Sequence, residues 1–472
     1  MTELKCLNKG KTDPRNQIKI YFAAYKLDFS YLEYISEILF DISDYALFFH
    51  DPNKTVGDDD DYQKIKLDFS MMDVILIPVT KALIIRMLIG WEKHLFNFYL
   101  KCAEEYQIPI LPLKASDVSD SVFQQHFGSI EYVPFTAKGA VKEGLRSFLN
   151  STTVSPELAE RIRLNFKAKV FISYRRNDQY KIRLLNDMIY KDEELQGIAC
   201  WYDEFLTPGE NFDDTIMQAL KRSDLFLIAL TEKMLEEGNY VINIEYPAAL
   251  ELKKPILSVL LEDIDLSKVE EVFDKDVAAP VDIVNTAERS AVTTYKFYFD
   301  YNKPPREVKR MTTEAALALC GKLKELLSDK LSREESGEYF YLLGLAYHYG
   351  VDVNRNSKIA VHLLKRAIWS GYYPAVVKLN EIDGKAFNSV IESLQKQATD
   401  GLPQAAAKLS MLFLTMGEHA FEQNDRHAAE GWRIKAENAI SDFPENSAAA
   451  EIRLCKSRLL LLKGKLELKD CR

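Results

Sequence analysis

Apolar residues follow two rhythms along this chain, and the change between them divides it. Up to about Lys330, short and nearly continuous apolar runs alternate with stretches whose apolar positions recur every three or four residues. KIYFAAY (Lys19–Tyr25), YALFFHD (Tyr45–Asp51), VILIPVT (Val74–Thr80) and IPILPL (Ile108–Leu113) read as buried strands, and LEYISEIL, from Leu32, reads as a helix between the first two. The order then begins again. KVFISY (Lys169–Tyr174), IACWYDE (Ile198–Glu204), LFLIALT (Leu225–Thr231) and PILSVLL (Pro255–Leu261) are strand-like, with IRLLNDMIY, from Ile182, as the first intervening helix. Apolar strands separated by helices predict a parallel sheet covered on both faces. The expectation is an α/β protein with two doubly wound domains in tandem, an internal duplication on a scale of ~150 residues.

Beyond Ser332 the strand rhythm stops, and an all-α helical-repeat solenoid is predicted. SGEYFYLLGLAYHYG and SKIAVHLLKRAIWSG read as paired helices, with Gly344, Ala346, Ala360 and Ala367 allowing close approach. Gly371, Ala375, Lys378 and Leu379 recur thirty residues on as Gly401, Ala405, Lys408 and Leu409. Such units stack because one hairpin cannot bury its own face. The pattern resembles the Sel-like relatives of tetratricopeptide repeats; a plain helical bundle is the alternative. The expected boundaries are an N-terminal tail over 1–16, α/β domains over 17–150 and 165–330, a linker over 151–164, and repeats over 332–472.

Composition narrows the classes. At 472 residues, 47% hydrophobic and 28% charged, the chain is globular in character. A net charge of -10 disfavours nucleic acid and anionic membranes as partners. The six cysteines contain no CxxC pair and the seven histidines no HExxH, so a structural zinc is not expected and a cytoplasmic setting fits. The amino-terminal residues are polar, with no apolar signal core. Val74–Trp91 is apolar enough to imitate a membrane span, but Pro78, Lys81 and Arg86 interrupt it, which favours a strand followed by a helix.

Four strings in the second α/β segment carry a resemblance. KVFISYRRND brings Ser173, Tyr174 and Arg175 off the carboxyl end of a strand. WYDEFLTPGENF ends a strand at Asp203 and continues into a loop with Pro208 and Gly209. DDTIMQALKRSDLFLIALT supplies a helix and the third strand, and NYVINIEYPAALELKKPILSVLL places Glu245 before the fourth. In this order they resemble a TIR (Toll/interleukin receptor) domain, a flavodoxin-like doubly wound fold. The resemblance implies one of two roles, since some members are scaffolds and others cleave the nicotinamide–ribose bond of NAD⁺. In the enzymes a glutamate at the place of Glu245 is catalytic, which makes NAD⁺ a substrate and implies no cofactor. Ser173, Tyr174, Arg175, Asp203, Pro208, Gly209 and Tyr240 are then the expected NAD⁺-binding residues, and no metal is expected. Several NAD⁺-cleaving members carry Trp four residues before the glutamate, where this chain has Val241.

The resemblance further implies self-association of TIR domains, activation by oligomer or filament formation, and a role as a bacterial anti-phage effector whose trigger, a protein or small molecule, is sensed by the first domain or the repeats. The loop Phe205–Phe212, with Leu206, Pro208 and Phe212, is the expected contact surface. The first α/β segment aligns with the second as a TIR-like pseudo-domain; a nucleoside-transferase-like or other flavodoxin-like domain is the alternative. Matching Tyr25 to Tyr174, Asp51 to Asp203, Gly57 to Gly209 and Asp73 to Asp224 sets Ala24 opposite Ser173 and Tyr99 opposite Glu245, without the chemistry of either. Asp58–Asp61 reads as a solvated loop rather than a cation site.

Overall fold

A computed structural model describes residues 4–8, 18–24, 26–42, 45–50, 62, 65–66, 68–69, 71–88, 92–106, 108–128, 130–135, 138–175, 178–202, 212–236, 239–262, 264–273, 277, 280–283, 313–442 and 450–468. The chain forms two compact units, one of Met1–Arg333 with Tyr349–Arg355, the other of Glu334–His348 with Asn356–Arg472.

The first unit holds two sheets. Strands β1 (Leu4–Asn8), β2 (Ile18–Phe22), β3 (Tyr45–His50), β4 (Val74–Val79), β5 (Ile110–Ala115) and β6 (Val133–Phe135) form one, in the order β1-β3-β2-β4-β5-β6. Strands β7 (Ala168–Ser173), β8 (Ile198–Trp201), β9 (Leu225–Leu230), β10 (Ile256–Leu260) and β11 (Val281–Asp282) form the other, in the order β11-β10-β9-β7-β8. Leaving β1 aside, the two orders are the same, and every pairing in them is parallel. Successive side chains of a strand face opposite sides, which explains the continuous apolar runs. Tyr21, Ile75 and Ile77 enter one apolar cluster, and Ile20, Phe22, Val74 and Leu76 another.

The duplication extends to individual hydrogen bonds. Lys19 N–H donates to Asp73 Oδ2 at 2.8 Å, and Lys169 N–H donates to Asp224 Oδ2 at 2.9 Å. The reciprocal bonds, Asp73 N–H to Lys19 O and Asp224 N–H to Lys169 O, are both 2.7 Å. Ile75 N–H to Pro109 O and Phe226 N–H to Pro255 O are both 2.9 Å. These bonds set the register between the copies, and the register moves one expectation: Lys19 matches Lys169, so Ala23, not Ala24, stands where Ser173 stands. The match of Tyr25 to Tyr174 is therefore one residue out of this register.

Two other segments differ from expectation. Leu4–Asn8, read as tail, pairs antiparallel with β3 and packs Leu4 and Cys6 on one face and Leu7 on the other. Its three apolar residues among polar neighbours are too few to show a period. Inside the segment read as linker, Pro156–Asn165 is a helix whose N-terminus is capped by Ser155 Oγ, which accepts from Leu158 N–H at 3.2 Å. The span-like run resolves as β4, buried throughout, and the helix Lys81–Leu88, with Ile85 and Arg86 exposed. Among the described residues no helix is long and apolar enough to cross a membrane.

The second unit is helical: Gly337–Tyr349, Ser357–Trp369, Ala375–Ile382, Gly384–Thr399, Pro403–Glu422, Arg426–Ala439 and Ala450–Leu468. A Cβ on Gly344 would stand 3.1 Å from Leu364 Cγ and 3.3 Å from Ala360 O, so this glycine permits the close helix contact. The thirty-residue recurrence has a structural counterpart. Gly371 and Gly401 end their helices with φ of 86° and 85°, and Ala375, Leu379, Ala405 and Leu409 are buried behind them.

Candidate functional site

In a doubly wound sheet the crevice opens at the carboxyl ends of the strands, where the strand order reverses. In the second sheet that point lies between β7 and its neighbours β8 and β9. Ser173 is the last residue of β7, paired with Ile228 of β9 and 1% exposed. Glu245 follows β9 on a widened helical turn, Val241–Glu245, that runs into the helix Tyr246–Glu251. The turn has a local cause. Pro247 has no N–H to donate to the Asn243 carbonyl four residues back, and Tyr246 N–H instead reaches back five residues to Val241 O. Asn239 fixes the start of the turn: its Oδ1 accepts from Val241 N–H at 3.0 Å, and its Nδ2 donates to Met234 O at 2.6 Å.

These elements bring Ser173 Oγ within 2.5 Å of Glu245 Oε2, the serine donating. A carboxylate 8% exposed is thereby held by a hydroxyl at the switch point of the sheet. Such a group can stabilise a developing positive charge beside it, because little water competes for the interaction.

The other expected site residues divide. Tyr174 is buried and meets the Tyr202 ring edge-on, centroids 6.1 Å apart. Arg175 Nη2 donates to Glu236 at 3.0 Å, at the rim. Tyr240 is partly buried and packs against the apolar cluster of this sheet, and Val241 is inside it. Trp201 stacks on Phe171 with centroids 4.7 Å apart, a packing role. Asp203, Pro208 and Gly209 lie outside the described residues, as do Phe205, Leu206, Asp51, Gly57, Tyr25 and the run Asp58–Asp61.

A cluster that sequence reasoning missed adjoins the site. Asp178 is 4% exposed and precedes the helix Gln179–Ile189 without capping it. Its carboxylate instead accepts from the Thr231 hydroxyl at 2.8 Å and from Lys181 at 3.0 Å. Lys181 also pairs with Glu262, and Glu262 accepts from Glu232 N–H at 3.0 Å. Burial works to lower Lys181, but its two carboxylates outweigh burial and hold it above the usual lysine value. The missed signal was the duplication: Thr80 Oγ1 donates to Asp28 at 2.7 Å in the first α/β domain, the same tie at matching positions.

The matching place in the first domain is chemically different. Ile108 N–H to Ala103 O repeats Lys254 N–H to Ala249 O, a register that sets Tyr99 opposite Glu245. The Tyr99 and Tyr21 hydroxyls are 3.2 Å apart, and Tyr21 is 2.7 Å from His50 Nδ1. His50 Nε2 is 3.1 Å from Asp68 Oδ2, and Asp68 Oδ1 accepts from Arg183 Nη1 at 2.7 Å. Burial works to raise Asp68, but Arg183 and His50 overcome it and hold the carboxyl below its usual range. Burial pushes both tyrosines well above the usual phenol value. A neutral phenol, Tyr99, thus fills the position of the glutamate, with a second, Tyr21, bonded to it, while Ala23 fills the position of the serine. The Cys102 and Cys200 thiols are pushed up to about 12 by burial and are not thiolates near neutrality.

Residues 170–293 match the family model described as TIR domain. No curated protein and no solved structure matches the chain.

Proposed function

We propose that the second α/β domain is an NAD⁺ glycohydrolase: water and NAD⁺ give nicotinamide, ADP-ribose and a proton, or the ribose is captured internally to give a cyclic product. The observation that carries this reading is the Glu245 carboxylate held by Ser173 at the carboxyl end of β7; the TIR match over residues 170–293 supports it. Breaking the nicotinamide–ribose bond sends the electron pair to nicotinamide, which leaves neutral and needs no acid. The positive charge passes to an oxocarbenium-like ribose, and Glu245 stabilises that charge while water attacks the same carbon. Ser173 orients the carboxylate. Arg175, at the rim, is the candidate phosphate contact.

The domain self-associates in the active state, and the first α/β domain and the helical unit control that assembly in response to a trigger, in keeping with an anti-phage effector. Specific activity then rises with protein concentration as light scattering rises. A second reading, a TIR scaffold without catalysis, is favoured by Val241: it is buried in the core and offers no ring for nicotinamide to stack on. Nicotinamide release from NAD⁺, followed at high protein concentration with wild type and Glu245→Gln, separates the two. Release by wild type alone supports the enzyme; equal traces from both leave the scaffold.

A further inference from the structure

Arg183 is one of the most deeply buried charges of the first unit, 3% exposed, and the reaction proposed above does not use it. It lies on the helix Gln179–Ile189, which carries the chain away from Ser173, and its partner belongs to the other α/β domain. Behind that partner, Asp68, stand His50 and Tyr21, also buried. A buried ion pair of this kind is a poor source of stability, because desolvating two charges offsets most of their attraction; what it does impose is geometry.

The helix is tied at two places. Asp178 fixes its start to Thr231, and Arg183 fixes its next turn to Asp68. The first tie is a property of the fold, since Asp28 and Thr80 repeat it. The second is not repeated: the register puts Glu33 where Arg183 stands, and Glu33 is exposed. Five residues separate Asp178 from Arg183, about 7.5 Å of helical rise, so an anchor at one constrains the other. Asp178 N–H in turn donates to Arg175 O at 2.7 Å, which links the helix start to the residues leaving β7.

We propose that Arg183 is a positioning residue for the Ser173–Glu245 site. Asp68 of the first α/β domain holds the helix Gln179–Ile189 through Arg183, and the helix holds the exit of β7 at the glutamate. The first domain thereby serves the site while carrying no bond-cleaving group. The role in turnover rests on the NAD⁺ reading; the tie itself does not.

The test uses the full chain and four variants: Asp68→Asn, Arg183→Gln, the two combined, and Arg183→Lys. Amide hydrogen exchange is followed in the peptide 174–182, and nicotinamide release is normalised to folded protein. The expected result is exchange about tenfold faster at 174–182 in each single variant. With it, kcat falls about tenfold while KM for NAD⁺ stays within about twofold, the pattern of a lost transition-state alignment. Arg183→Lys, which keeps the charge, recovers to within about threefold of wild type. Unchanged exchange at 174–182 overturns the proposal, and so does a loss of thermal stability with kcat per folded molecule intact. If the single neutral variants do not fold, the combined variant, which leaves no unpaired charge buried, and Arg183→Lys decide by the same two readouts. If wild type releases no nicotinamide, faster exchange in the variants retains the tie and removes the NAD⁺ reading; unchanged exchange removes the tie.

Discussion

The two α/β domains of the first unit are built from the same hydrogen bonds and differ where chemistry would occur. Lys19–Asp73 repeats as Lys169–Asp224, and Asp28–Thr80 as Asp178–Thr231. Yet the position of Glu245 holds Tyr99, and that of Ser173 holds Ala23. The ties that recur join strand and helix ends within each sheet, whereas a crevice side chain can change with little effect on the core. The first domain exchanges a carboxylate for a connected chain of phenols, an imidazole and an ion pair, none of which repeats the Ser173–Glu245 pair.

The largest test of this contrast is in the crevice itself. Glu245→Gln is expected to lower nicotinamide release by ~10³-fold or more with unchanged circular dichroism, because it removes the charge opposing the oxocarbenium. Tyr99→Phe at the matching position is expected to leave release within about threefold, as it removes only a terminal hydroxyl; a large loss there would break the distinction between the domains.

A smaller effect separates the two repeated aspartates. Both accept a backbone N–H, but Asp73 Oδ1 also accepts from Arg355 Nη2 at 2.8 Å, and Arg355 is 4% exposed. Asp224 pairs at 3.0 Å with Lys330, whose side chain is 41% exposed. Asp73→Ala is therefore expected to cost about 3 kcal/mol and Asp224→Ala about 1 kcal/mol, measured by denaturant unfolding. Equal losses would show that the shared backbone bond, not the ion partner, dominates. Deleting 332–472 removes Arg355 as well, and its effect on the first unit is expected to include the Asp73 loss.

The acid–base behaviour of the first unit sharpens the comparison further. Burial pushes the Asp187 carboxyl up to about 6, against the opposing pull of Lys191, Arg183 and Lys66. A carboxyl raised in the folded state contributes stability that is complete below the unfolded value, near 4, and is lost as pH rises through the folded one. Asp187→Asn is expected to gain about 3 kcal/mol at pH 7 and less than about 1 kcal/mol near pH 4, read from urea unfolding at both. A gain independent of pH would assign the effect to packing. Smallest is Ser173→Ala, expected to reduce release about tenfold, since the carboxylate remains and only its orientation is freed.

Much of this is legible in the amino-acid sequence. The apolar runs marked eight strands and the pairing of the two copies, because a strand buried on both faces must be apolar throughout. Ser173 and Glu245 stood out as motif residues. Val133–Phe135 and Val281–Asp282 were not legible, since edge strands this short leave no period to read, and Leu4–Asn8 carries too few apolar residues to show one. The Asp178–Thr231 and Asp28–Thr80 ties were hidden for a different reason: aspartate before a helix reads as a cap, and here both carboxylates turn to a threonine instead.

What the sequence determined by itself is what local rhythm can encode. Period two with continuous apolarity, period three to four, and the glycines of the thirty-residue recurrence gave two parallel sheets and a helical unit, since those patterns act over a few neighbouring residues. Tertiary structure alone decided which polar groups meet. Ser173 reaches Glu245 across 72 positions, and Arg183 reaches Asp68 across 115. A hydrogen bond tolerates errors of only a few tenths of an ångström, and that placement is the summed result of every packed layer between the partners, which no single stretch of residues contains.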